Sequence, residues 1–411
     1  MKTRRPKFFY GYIVALAVFL IMLVNGGAFY SFGVFFKPVL LEFGWTRVVV
    51  SGAYSLCLLL IGLLSIVMGK LNDRFGPRLL VTGCGLFLGS GYLLMSQIGT
   101  IWQLYLFYGV IVAIGESAYL VPLLSTVARW FTKRRGLATG IVCSGVGVGI
   151  MIMPPIVNQL IFTHDWRTSY IIVGLIVLTL SILGAQFLRR DPGQIGLSPY
   201  GEDEVKQEGL NLEAGGLSLQ EAIRTRQLWL LCALSFSYYF CTATIMVHIV
   251  IHATGLGISA LSAANILAVI GGASIAGRII MGGAGDRIGN KLALIICFIL
   301  ILIALIWLMT TKEAWMFYPF AAILGLGYGG IVALKPPVTA ELFGLSSHGV
   351  ILGITFFSDC MGGVIGPVLA GRIFDITGSY QLAFLGCIAI GVTGLVSTST
   401  LRPINRERMK I

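Results

Sequence analysis

The sequence GKLNDRFG at residues 69–76 returns as GGAGDRIG at residues 282–289, so the pattern G-x-x-x-D-R-x-G occurs twice, 213 positions apart. The same offset pairs Gly136 with Gly349 and Pro154 with Pro367. A repeat at about half the length of a chain indicates two similar halves. In a strongly apolar chain, internal repeats of this kind are typical of transporters.

The composition places the chain in a membrane. Hydrophobic residues make up 57% of the 411 residues and charged residues only 11%, and the mean hydropathy is +0.91. About 20 apolar residues span a bilayer, and twelve such stretches occur. The first is too long and too aromatic for a cleaved signal peptide. We therefore expect an all-α integral membrane protein with twelve transmembrane helices, arranged as two six-helix bundles related by pseudo-two-fold symmetry.

A single long polar segment divides the chain. It predicts an N-terminal six-helix bundle at residues 1–188, a cytoplasmic linker at 189–226 and a C-terminal six-helix bundle at 227–411. Within the linker, Ser218 and Glu221 have the spacing of a capping box for a short helix. The linker is too short for an enzyme domain, and no nucleophile, base or metal constellation is visible. We expect no enzymatic activity, no cofactor and no metal site.

The charge of +12 reflects membrane topology. If both termini lie inside, 22 of the 29 Lys and Arg fall in cytoplasmic segments. This bias follows the positive-inside rule. It predicts a multi-pass protein of the cell membrane (the inner or plasma membrane) with both termini cytoplasmic. The partner implied by the basic residues is the lipid bilayer, with no nucleic acid.

Ionisable side chains inside the predicted spans are candidates for function, because a charge at bilayer depth is costly. Arg278 is the strongest: small residues surround it, and an always-protonated guanidinium offers a fork for a carboxylate. A structural ion pair with Glu116 or Asp359 is the alternative. Lys335 is expected to act as a gate or ligand, unless it only extends to the cytoplasmic interface.

Three groups could carry a proton: Glu116, Asp359 and His248. Burial in an apolar medium favours the neutral form of a carboxyl group, and histidine titrates near neutral pH. Ion pairing with Arg278 is the alternative for the two acids, and hydrogen-bonded packing is the alternative for His248. His248 is also a candidate substrate ligand.

Four uncharged residues complete the predicted substrate site. Tyr119 lies one helical turn from Glu116, and Tyr328 lies seven residues before Lys335. Ser274 and Phe357 are neighbours in sequence of Arg278 and Asp359. Tyrosine hydroxyls donate well to carboxylates, although aromatic packing is the ordinary role of such rings.

The repeated pattern resembles the signature loops of the major facilitator superfamily, between spans 2 and 3 and again between spans 8 and 9. In that superfamily these loops latch the cytoplasmic side, which implies gating roles for Asp73, Arg74, Asp286 and Arg287. Each aspartate is expected near the N-terminus of the helix that follows it, where the helix dipole favours an anion.

A second resemblance narrows the family. The run WFTKRRGLATG at residues 130–140 and the lone Arg278 are similar to features of the monocarboxylate transporters and of the bacterial oxalate:formate antiporters. In both groups an arginine of span 8 binds the substrate carboxylate. The chain departs from the animal carriers, with Ser274 in place of an acid and Tyr30 in place of a lysine. It also has an acid, Asp359, where oxalate exchangers have a second cation.

One intramembrane arginine suits one carboxylate. We therefore expect a secondary active transporter of a small monocarboxylate such as lactate or pyruvate, coupled to a proton by symport and working by alternating access as a monomer. The alternative is a proton-independent organic anion exchanger of the oxalate:formate type.

Overall fold

The structure is a computed structural model, and it describes residues 9–201 and 216–404. Within this part, 12 helices are long and apolar enough to cross a membrane, which confirms the predicted all-α membrane fold. They are α1 Gly11–Phe43, α2 Arg47–Phe75, α3 Pro77–Met95, α4 Ile101–Trp130, α5 Arg135–Thr163, α6 Trp166–Gln186, α7 Arg226–Gly255, α8 Ala260–Ile288, α9 Asn290–Thr310, α10 Phe317–Phe343, α11 His348–Thr377 and α12 Gln381–Thr400.

Helix α1 is interrupted at its middle. Regular α-helix runs over Gly11–Tyr30 and again over Phe32–Phe43. At the junction, the hydroxyl of Ser31 donates to the carbonyl oxygen of Gly27 at 2.7 Å. Serines that bond back to their own helix often weaken its regularity, and this interruption lies beside Phe29 and Tyr30.

Helix α4 is more strongly irregular. It includes a π-helical turn over Tyr105–Val112, and it breaks after Ser117 before resuming at Val121. Pro122 has no N–H to donate to the carbonyl of Ala118, and its ring disfavours regular helix at that point. The break therefore follows from the sequence, and it begins one residue beyond Glu116.

Two glycine crossings join α1–α6 to α7–α12. Helix α2 crosses α11 where Gly69 meets Gly349, and α5 crosses α8 where Gly136 meets Gly282. At each crossing, a Cβ atom on the first glycine would collide with the carbonyl group of the second. Small residues allow helix backbones to approach closely in a membrane. The two pairs are related by the offset of 213, so the sequence repeat marks both crossings.

The crossings lie at one end of the molecule, which we call the loop end because it carries residues 69–76 and 282–289. Further from this end, a Cβ atom on Gly271 or Gly272 of α8 would meet no neighbouring described atom within 4 Å. The two groups of six helices are thus in close backbone contact at the loop end.

The described ends of the polar segment between α6 and α7 form backbone hydrogen bonds with the loop after α4 and with the end of α10. The carbonyl of Tyr200 accepts from the N–H groups of Thr132 and Lys133 at 3.1 and 2.9 Å. At the other end, Leu217 N–H donates to the Phe343 carbonyl at 2.8 Å. The domain boundaries within this segment stay a prediction. Residues 1–8, 202–215 and 405–411, which contribute to the predicted charge asymmetry, lie outside the described residues.

The capping box in this segment is confirmed. Ser218 accepts from the Glu221 N–H, and the Glu221 carboxylate accepts from the Ser218 N–H, at the start of the short helix Leu219–Ile223. The hydrogen bonds from Ser218 hold the pKa of the exposed Glu221 carboxyl below its usual value.

Candidate functional site

A cavity of about 130 Å³ lies between α1–α6 and α7–α12. Helices from both groups line it, including the interrupted α1 and α4. It brings together six of the residues singled out from the sequence: Glu116, Tyr119, Arg278, Tyr328, Lys335 and Asp359. Residues more than 200 positions apart in the chain thus share one central site.

Arg278 projects from α8 into this cavity and is only 2% exposed. One guanidinium nitrogen donates to the Cys143 carbonyl of α5 at 2.9 Å, while its Nε has no hydrogen-bond partner. The guanidinium carbon lies 5.7 Å from the centre of the Tyr328 ring. A Cβ on Gly147 of α5 would lie 3.0 Å from the guanidinium, so glycine leaves room for it.

Arg278 has no acidic partner among the described residues. The ion pair that these residues form within the membrane-spanning region joins Lys335 to Asp359. An unpaired guanidinium in a low-dielectric cavity is costly. The cavity therefore contains a fixed positive charge, and the Nε–H group of Arg278 is available to donate a hydrogen bond.

Glu116 lines the same cavity from α4 and is 4% exposed. Its Oε1 has no hydrogen-bond partner, and no cation pairs with it in the described part of the chain. The neighbouring Tyr119 hydroxyl donates to the Met22 carbonyl at 3.3 Å. A carboxyl group in such a position is stable in its neutral, protonated form.

Lys335 of α10 and Asp359 of α11 form a buried ion pair, 6% and 5% exposed. Lys335 therefore does not extend to the membrane interface. Its ammonium lies 5.9 Å from the centre of the Tyr238 ring. Tyr238 and Tyr328 stack at 5.9 Å, so two aromatic rings separate the paired cation from the unpaired Arg278.

Three residues predicted for the site lie elsewhere. The two ring nitrogens of His248 contact the Tyr380 hydroxyl at 3.1 Å and the Pro367 carbonyl at 2.9 Å. Ser274 donates to the carbonyl of Gly271 in its own helix. Phe357 faces α2, where a Cβ on Gly62 would lie 3.2 Å from its ring. The structure does not bring these three side chains into the cavity.

Sequence reasoning missed four aromatic residues that line the cavity: Tyr30, Tyr238, Tyr239 and Phe356. A signal existed for Tyr30, because it stands where the resembled carriers have a functional lysine. The paired tyrosines in the middle of α7 carried no signal beyond their aromatic character.

At the loop end, each signature aspartate reaches across to the other group of helices. Asp73 of α2 accepts from the N–H groups of Gly349 and Val350 at 3.2 and 3.1 Å. Asp286 of α8 accepts from the N–H groups of Gly136 and Leu137, both at 2.8 Å. Each carboxylate thereby caps the positive end of a helix.

This arrangement corrects one expectation. The aspartates do not cap the helices that follow them, because each signature is still helical at the aspartate and turns only at the final glycine, Gly76 or Gly289. The last turn of α2 therefore presents Asp73 sideways to α11.

The basic residues at the loop end take different roles. Asp73 also pairs with Arg129 of α4 at 2.7 Å, an interaction that the sequence did not reveal. Arg74 is exposed and lies over the Phe75 ring at 5.1 Å, and Arg287 is exposed.

Several proteins of similar sequence are named as transporters. Human monocarboxylate transporter 12 is 27% identical over 99% of this chain and 83% of its own length. Bovine monocarboxylate transporter 13 is 27% identical over 97% and 91%. An uncharacterised MFS-type transporter of Escherichia coli, YhjX, is 27% identical over 76% of each chain.

Solved structures share the fold. The human organic anion transporter MFSD10 superposes with a TM-score of 0.76 at 13% identity, covering 96% of this chain and 100% of the other. A variant of the E. coli fucose:proton symporter gives a TM-score of 0.72 at 14% identity, covering 95% and 99%. The sequence model of the family described as "Major Facilitator Superfamily" matches residues 18–311 and 231–410. The chain belongs to the Major Facilitator Superfamily, and it is a membrane transporter rather than an enzyme.

Proposed function

We propose that this transporter carries a small monocarboxylate together with one proton, by alternating access through the central cavity. The observation that carries the proposal is Arg278, a buried cation that lines the cavity without an acidic partner in the described structure. The proposal places the loop end on the cytoplasmic side of the cell membrane.

The substrate is an anion because the site offers a permanent positive charge with unused donors. A guanidinium presents two parallel N–H groups that match the two oxygens of a carboxylate. The Nε of Arg278 has no partner, and a bound carboxylate would supply one. The names of the relatives support this choice, since they include monocarboxylate transporters and an organic anion transporter.

The proton is assigned to Glu116. Of the three candidates, His248 lies outside the cavity lining and Asp359 is paired with Lys335. Glu116 remains as a cavity carboxyl group that no described cation neutralises. The printed name of one structural neighbour, a fucose:proton symporter, is in keeping with this assignment.

The charges of the cavity favour equal numbers of protons and anions. Lys335 and Asp359 neutralise each other. With Glu116 protonated, Arg278 leaves the cavity one positive charge, and one monocarboxylate cancels it. The change between the two access states of the transporter has the lowest electrostatic cost when the net charge in the cavity is zero.

Uptake by purified protein in liposomes tests the proposal. With labelled lactate or pyruvate outside, an alkaline interior should drive accumulation, and the rate should rise as external pH falls. The membrane potential is clamped, so that only the proton gradient drives uptake.

Two outcomes would contradict the proposal. If uptake occurs only into liposomes preloaded with substrate and ignores the pH gradient, the protein is the alternative organic anion exchanger. If no carboxylate enters or exchanges while the protein is folded, the carboxylate assignment is wrong.

A further inference from the structure

We infer that the preferred substrate is an aromatic monocarboxylate rather than a three-carbon acid. The inference rests on the proposed function, in which Arg278 holds the carboxylate, and it concerns the part of the cavity that the carboxylate leaves unfilled.

Aromatic rings from both groups of helices form the walls next to Arg278. Tyr238 of α7 and Tyr328 of α10 stack with ring centres 5.9 Å apart and planes 13° apart, and Arg278 lies over Tyr328. From the other group, Phe29 and Tyr30 of α1 meet edge to face at 5.6 Å and 89°.

A further ring belongs to Phe356 of α11, and all five of these rings line the cavity, together with those of Tyr119 and Tyr239. Flat aromatic surfaces pack favourably against one another in offset or edge-to-face arrangements, beyond the gain from burial alone. A phenyl group would meet such surfaces from both groups of helices.

The cavity has a volume of about 130 Å³, slightly below the about 150 Å³ of an apolar cavity that accommodates benzene. A phenyl group would therefore fill the cavity completely and require its walls to move apart slightly. A lactate-sized acid carries only one methyl group and would leave most of the aromatic wall without a ligand contact.

The charge pattern points the same way. The second cation of the cavity, Lys335, is neutralised by Asp359, so the described lining offers one free cation for one carboxylate. The remainder of the ligand must then be uncharged.

A competition panel tests the inference on the unmodified protein in liposomes. Unlabelled benzoate and phenylacetate compete against labelled lactate, with acetate and propionate as the small-acid comparison. Burying a phenyl group in place of a methyl group removes several more carbon atoms from water, so we expect half-inhibition at concentrations at least about tenfold lower for the aromatic acids. Direct uptake of labelled phenylacetate down a proton gradient separates transport from blockade.

Two matched variants locate the effect. Phe356→Leu removes a ring from the cavity wall and should raise the half-inhibition concentration of phenylacetate about tenfold, and those of acetate and propionate by a smaller factor. Phe236→Leu is the control, because Phe236 is a partly buried phenylalanine of the same group of helices that packs on Phe240 at 5.8 Å. If Phe356→Leu does not fold, Tyr328→Leu serves in its place, and the panel on the unmodified protein still decides.

The outcomes separate the inference from the function on which it rests. Acetate or propionate that competes as well as phenylacetate would overturn the aromatic preference and leave monocarboxylate transport intact. Phenylacetate that competes equally in both phenylalanine variants would overturn the assignment of these walls. If no carboxylate of either kind competes or enters, the proposed function fails.

Discussion

At the scale of single residues, the cavity contains two ionisable groups without charged partners and one matched pair. Arg278 and Glu116 face the cavity unpaired within the described structure, whereas Lys335 and Asp359 neutralise each other. Unpaired charges are expensive in a membrane, so their retention indicates a function. A pair is neutral and indicates structure. The predictions for these residues differ accordingly.

Replacing Arg278 should remove the substrate carboxylate's partner. Arg278→Lys should impair uptake strongly, because an ammonium cannot reproduce the two-bond fork. Arg278→Ala should abolish uptake, since the loss of one partner of a desolvated charge pair costs about 2–5 kcal/mol, or roughly 30- to 4000-fold in affinity. Initial uptake rates at several substrate concentrations measure both.

The control is Arg224→Lys, at an exposed position in the segment before α7. Uptake in Arg278→Ala that still concentrates a monocarboxylate down a proton gradient would show that the carboxylate binds elsewhere.

Neutralising Glu116 should uncouple the proton. Wild-type uptake should rise as external pH falls, because the protonated carrier binds the anion. Glu116→Gln mimics the protonated form permanently, so the dependence of uptake on external pH should flatten while exchange of preloaded substrate survives. A pH series of uptake and of exchange measures both slopes. If Asp359→Asn flattens the slope and Glu116→Gln does not, the proton is carried by the ion pair instead.

The ion pair predicts a stability effect. Lys335→Met or Asp359→Leu alone leaves one buried charge without its partner, which costs about 3–5 kcal/mol. Replacing both, as Lys335→Met with Asp359→Leu, should restore much of that loss. Thermal unfolding in detergent of the two single variants and the double variant gives the coupling. Additive destabilisation would mean that the two side chains act independently.

At the scale of helices, each copy of the repeated signature supplies an aspartate that caps the start of a helix in the other group of six. Asp73 and Asp286 each bind two backbone N–H groups at the start of a helix in the other group. Close approach is possible because Gly69 and Gly349, like Gly136 and Gly282, lack side chains. Both contacts stabilise the conformation in which the loop end is joined.

Asp73→Asn or Asp286→Asn should therefore slow turnover more than it changes binding. An amide keeps one acceptor oxygen but loses the charge that favours the helix end, worth about 1–2 kcal/mol, or roughly 5- to 30-fold in the conformational step. Maximal uptake rate should fall while the half-saturating substrate concentration stays within a few-fold. Asp375→Asn, at an exposed position near the opposite end of α11, is the control. A lost binding signal with intact folding would assign these aspartates to the site.

At the scale of the whole molecule, the sequence predicted spans, repeat and charged candidates, but not the direction of each side chain. Apolar runs determine where helices cross a bilayer, and the offset of 213 marks both crossings. Rotation of a helix about its axis depends on packing, and successive residues differ by about 100°. Phe357 was therefore chosen for the site although its neighbour Phe356 lines the cavity, and the partner of Asp73 could not be seen from its own segment.

The rocking of α1–α6 against α7–α12 can be tested where they meet. A Cβ on Gly283 would lie 3.7 Å from the Leu137 side chain, so cysteines at these two positions are within reach of a short thiol cross-linker. Linking them should stop net uptake, because the loop end must open once per cycle. The cross-linked protein should still bind substrate, since the link leaves the binding site unchanged.

Each single-cysteine variant treated with the same reagent provides the control for labelling alone. The eight native cysteines are buried or partly buried, which limits background reaction. Transport that continues at full rate in completely cross-linked protein would mean that α5 and α8 never separate at the loop end. Substrate would then have to leave by a path that spares this contact, and the two signature aspartates could not be latches.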